Sequence, residues 1–130
     1  MLNANTKVRY WDSVNKKLIY TTLNGAIRKG RIIGDLELWT GKIDADYKEI
    51  YEGDIITRIM IDTRTEKEKG RIKVYNASNT KDGKHAKIVQ WDNHMNGWSW
   101  RQSADTAKNT RKEWGSFHSR YRIIGNIHEN

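Results

Sequence analysis

Short runs in which apolar and polar side chains alternate, separated every few residues by turn formers, recur along almost the whole of this chain and commit it to an antiparallel β fold. Lys7 to Asp12 reads as a strand packing through Val8, Tyr10 and Trp11; Ser13-Val14-Asn15-Lys16 reads as a turn and Lys17 to Thr22 as the returning strand. Asn24-Gly25 and Gly30 punctuate an irregular segment, in which Ile32 and Ile33 are expected to turn inward. Leu36-Glu37-Leu38-Trp39 alternates again, and Lys42 to Lys48 is a polar loop. Ile50-Tyr51 leads into Glu52-Gly53-Asp54, a turn whose glycine accepts φ > 0. Ile55 to Ile61 is a central strand, and Arg71 to Tyr75 returns beside it after a charged tip.

Beyond a polar loop from Asn76 to His85, Lys87 to Trp91 and Trp98 to Gln102 form a hairpin with a strong turn signal at Asn96-Gly97. Ser103 to Trp114 is expected to be a helix, with Ala104, Ala107, Arg111 and Trp114 on one face. Ser103 caps it, Asp105 favours its start, and Gly115 stops it. Tyr121 to Ile127 is the last strand. The fold expected is small and mainly β: a compact antiparallel barrel or strongly bent sheet of SH3-like proportions, with one short helix before the last strand. A tandem of two half-sheets is the alternative.

The 130 residues fit a single domain, 1–130. Only 36% are hydrophobic, but six Trp and six Tyr supply bulk, and each buried aromatic removes about 150–250 Å² from water. That count argues against disorder. With no cysteine, disulfides and thiolate zinc sites are excluded. No apolar stretch is long enough for a membrane span, and no apolar h-region marks a secretory signal, so a cytoplasmic protein is expected.

Charge is the feature with most bearing on partners. The chain carries a formal +8, split as +2 over residues 1–60 and +6 over residues 61–130. A basic half attracts nucleic acid or another acidic partner. Its richest stretch holds Arg101, Lys108, Arg111, Lys112, Trp114, Arg120 and Arg122, just after Trp91, Trp98 and Trp100. Trp98 and Trp100 share one strand face, which is either core or a platform on which bases stack. Glu52 with Asp54, and Asp44 with Asp46, offer paired carboxylates for a cation or for acid–base work. The competing reading is that Glu52 and Asp54 cap the strand entry by accepting from backbone amides. His85, His94, His118 and His128 are scattered. His94 between Asn93 and Asn96 resembles a hairpin tip more than a nuclease centre. No nucleophile elbow or phosphate loop occurs. The sequence assigns no catalytic residue, no metal and no cofactor.

Three segments taken together carry a resemblance: Val8-Arg9-Tyr10-Trp11-Asp12; Trp39-Thr40-Gly41 with Ile50-Tyr51-Glu52-Gly53-Asp54-Ile55; and Ile124-Gly125-Asn126-Ile127-His128-Glu129-Asn130. In this order they resemble the YopX family of phage and prophage proteins of Gram-positive bacteria. Two regions depart from the family pattern: 58–122 is longer and more basic, and Ala45-Asp46-Tyr47 stands where the family tends to show an Asn-Gly type turn. The resemblance implies a phage-encoded protein of the host cytoplasm with no catalytic residues to transfer. Three functions follow as expectations: a non-catalytic module contacting DNA or RNA through its basic face, an accessory protein binding a host or phage protein, or an unrecognised hydrolase or nuclease. Exposed strand edges also leave room for a homo-oligomer.

Overall fold

The computed structural model describes residues 2–62, 73–81, 85–92, 97–102, 110–111 and 121–129. The protein is mainly β, as the turn spacing leads one to expect, and its strands fall into two sheets. The first contains β1 (Lys7–Asp12), β2 (Lys17–Thr22), β3 (Glu37–Ile43) and β4 (Glu49–Tyr51) in the order β2-β1-β3-β4, curled into half a barrel. The second contains β5 (Asp54–Asp62), β6 (Lys73–Asn76), β7 (Lys87–Asp92), β8 (Gly97–Gln102), β9 (Thr110–Arg111) and β10 (Tyr121–Asn126). Its order is β10-β5-β7-β8-β9, with β6 paired to β5.

The two sheets are joined by the Glu52-Gly53 turn. Its amides donate to Leu38 of the first sheet and Val89 of the second, at 3.0 and 2.9 Å. Apolar side chains collect on both sides of that seam. Val8, Tyr10, Ala26 and Leu36 form the core under the first sheet, and Ile50, Ile56 and Val89 the core under the second. Full burial of each aliphatic side chain contributes about 1.5–3 kcal/mol.

Two segments differ from expectation. Residues read as irregular around Asn24-Gly25 form a helix, α1 (Leu23–Arg28), capped by Thr22 Oγ1, which accepts from the Gly25 amide at 3.2 Å. It ends in a Schellman motif: Gly30 at φ +79 donates to Ile27, and Arg31 to Ala26. That cap aims Ile32 and Ile33 outward, 66% and 60% exposed, correcting the expectation that they pack inside. The helix expected over Ser103 to Trp114 meets a strand instead at Thr110–Arg111, where pairing with the free edge of β8 prevails over a weak helical period. The remainder of that stretch lies outside the described residues. Among the described residues, no helix is long and apolar enough to cross a membrane.

Candidate functional site

The ladder sets Arg9, in the middle of β1, directly opposite Tyr20 on β2 and Glu37 on β3. Strand alternation gives Val8 and Tyr10 to the core and turns Arg9 to the other face, which the Glu52-Gly53-Asp54 turn covers. Arg9 is 1% exposed as a result. Its Nε donates to Glu37 Oε1 at 2.8 Å, Nη1 to Asp54 Oδ1 at 2.6 Å and Nη2 to the Glu52 carbonyl at 3.0 Å. The guanidinium carbon lies 5.3 Å from the centre of the Tyr51 ring. The second Asp54 oxygen accepts from the Tyr51 amide at 2.8 Å, so Asp54 does cap the strand entry while also neutralising Arg9.

The electrostatics follow from this burial. Loss of water pulls the Arg9 pKa down, but the charges of Asp54 and Glu37 outweigh it and hold the guanidinium above its ordinary value. Burial pushes the Asp54 carboxyl up to about 6 in spite of Arg9. Burial, then the adjacent Glu37 charge, raises Glu52. Gly53, at φ +86, lies so close beneath the Glu37 carboxylate that any side chain there would collide with it.

The C-terminal segment closes the same assembly. His128 stacks on Trp11 with ring centroids 5.4 Å apart. Its Nε2 lies 3.0 Å from Glu37 Oε2, outside hydrogen-bond geometry. Ile127 donates its amide to the Gly53 carbonyl. Thus the three segments that carry the family resemblance meet around Glu37, beside a cleft of about 600 Å3 lined in part by Trp11, Glu52, Gln90 and His128. Glu37 and Asp54 are both engaged by Arg9, so this arrangement organises the interior.

The other sequence candidates are dispersed. Asp44 is buried, and its carboxylate accepts from the amides of Asp46, Lys48 and Ile123 at 2.8, 2.9 and 3.0 Å, which fixes a loop to β10. Among the described residues, no group of three or more His, Asp or Glu is placed to hold a metal. Arg122 is half-buried and already engaged by its own fold: Nε donates to Asp46 Oδ2 and Nη1 to Asn76 Oδ1, both at 2.9 Å. The backbones of Arg101 and Arg111 belong to β8 and β9, where Arg111 stands opposite Trp100. Lys108, Lys112, Trp114 and Arg120, like His94 and His118, lie outside the described residues. Trp98 and Trp100 are half-buried against Ile50, Ile56 and Val89, so they serve as core. Trp91, 40% exposed, meets Trp98 edge-on at 5.1 Å.

Arg9 was not singled out from the sequence. The available signal was a cation flanked on both sides by packing residues in a strand whose alternation would otherwise send it to water.

Fold and site together define a small two-sheet β protein in which, among the described residues, the buried Arg9 and its partners Glu37 and Asp54 organise the interior. Residues 7–130, starting at the first residue of β1, match the family model described as YopX protein, and the chain belongs to this family. No curated protein matches it.

Proposed function

We propose that this protein is a non-catalytic, phage-encoded module that acts in the host cytoplasm by contacting nucleic acid through its basic surface. The observation that carries this reading is the sorting of charge. Among the described residues Asp44 and Asp54 are buried with Arg9, whereas Lys16, Lys17, Arg28, Lys29, Lys48 and Arg58 are exposed and outnumber the exposed acids Asp35, Asp46 and Glu129. The described surface therefore carries an excess of cations, which attracts a polyanion over several ångströms. Arg101, Lys108, Arg111, Lys112, Trp114 and Arg120 supply the densest basic stretch for phosphates and bases. Arg122 is withdrawn from that set by its bonds to Asp46 and Asn76.

Replacing Arg111, Lys112 and Arg120 together by Ser is expected to weaken DNA or RNA binding at least tenfold in a mobility-shift titration, with an unchanged circular dichroism spectrum. Arg122→Ser should bind as the parent does. If the triple variant shifts nucleic acid at the parent's concentration, the reading is wrong.

A second reading, an acidic host or phage protein as partner, is favoured by Ile27, Ile32 and Ile33 standing exposed beside Arg28 and Lys29. Nuclease treatment separates the two, since a protein partner stays bound after nucleic acid is digested.

A further inference from the structure

The loop 44–48 between β3 and β4 holds Tyr47 in a conformation that tyrosine rarely adopts. Its φ is +64, in the left-handed region where glycine and asparagine are at ease. The loop is tight: the Asp44 amide donates to the Lys48 carbonyl at 2.8 Å, and the Tyr47 amide to the Asp44 carbonyl at 3.0 Å. Tyr47 gains nothing from packing in return, because it is 84% exposed. A strained backbone that presents an aromatic ring to water points to something outside the fold that uses the ring.

The ring stands at the rim of a cleft of about 460 Å3, within the range of small-ligand sites. Tyr20, 56% exposed, lines it as well, and the buried Tyr51 meets Tyr20 edge-on at 5.2 Å. Charged groups of both signs surround this cleft. Glu49 is paired with Lys7 at 2.6 Å and Arg9 is shared by Asp54 and Glu37 at 2.6 and 2.8 Å, while Lys48 is exposed and has no ion-pair partner among the described residues. Two aromatic faces beside an exposed lysine suit a ligand that is flat and anionic at once.

We infer that the cleft of Tyr20, Tyr47 and Tyr51 takes an unpaired nucleotide, the base stacking on tyrosine and the phosphate meeting Lys48. This deepens the nucleic-acid reading above and rests on it. It adds a requirement for single strands, because a base inside a duplex has no free face to offer.

The test compares a short single-stranded DNA oligonucleotide, the same sequence as a duplex and a free mononucleotide, each by fluorescence anisotropy or competition. The parent should bind the single strand at least tenfold more tightly than the duplex. Tyr47→Gly relieves the left-handed strain and removes the ring, so its melting temperature should rise while single-strand affinity falls about tenfold. Tyr47→Phe should keep the affinity, and duplex binding should be the same in all three proteins. Competition by the mononucleotide that is lost in Tyr47→Gly would place the recognition in the cleft. Equal affinity for single strand and duplex, or undiminished binding by Tyr47→Gly and Tyr20→Ala, would overturn the inference. The nucleic-acid reading survives that result if the Arg111, Lys112 and Arg120 variant still loses binding. A parent that binds neither form removes both.

Discussion

A guanidinium with 1% exposure persists in this interior because its donors are directed at Glu37, Asp54 and the Glu52 carbonyl. Removing one member of such a buried pair leaves the other charge stranded. Arg9→Met is therefore expected to destabilise the protein by about 3–5 kcal/mol at neutral pH in urea unfolding. The pH dependence has a definite sign. Asp54 is raised to about 6 from an ordinary 3.8, so its own contribution is fully present below the ordinary value and is lost as pH rises through about 6. Without Arg9 the carboxyl would be raised further, so the penalty of Arg9→Met should be smaller below pH 6 than above it. A penalty independent of pH would contradict the pairing of Arg9 with Asp54. The sequence hid this pair for a physical reason: alternation sends Arg9 away from the Val8 and Tyr10 face, and only the turn at 52–54, some forty residues on, decides that the other face is buried too.

Among the elements, local rules succeeded where one hairpin was self-contained. The bounds of β1 and β2 agree with the expected strands because the Asp12 turn and the apolar alternation are both local; the Asp12 carboxylate accepts from Val14 and Asn15 in that turn. Local rules failed at α1, whose six residues include Gly25 and show no amphipathic period. Thr22 supplies the cap and contact with the first-sheet core supplies the rest, since Ala26 is buried there. They failed again at Thr110–Arg111, where an open strand edge outweighs helix propensity. Asp44 is the corresponding long-range device in a loop. One carboxylate ties the 44–48 turn to Ile123 on β10, so Asp44→Ala should cost at least about 2 kcal/mol by thermal unfolding, reflecting several bonds to a charged acceptor. A loss near zero would mean that the loop is held by its backbone bonds alone.

For the molecule as a whole, the segments resembling the YopX family act as scaffold. Arg9, Gly53 and His128 converge on Glu37, Asp54 joins them through Arg9, and the adjacent Glu52-Gly53 turn joins the two sheets. That convergence was not legible from spacing, because it depends on a turn and a C-terminal segment closing over one strand. The net charge was legible, and the excess of exposed cations among the described residues gives it physical consequence. If phosphates are the natural partner, binding must release counterions, and the observed association constant must fall with salt by a log–log slope of about −0.7 to −0.9 per contacted phosphate. The most direct measurement is therefore fluorescence anisotropy of the parent with a single-stranded oligonucleotide across a salt series. The account predicts a straight log–log decline corresponding to several phosphate contacts. Binding that is absent at low salt, or indifferent to salt throughout, would contradict it.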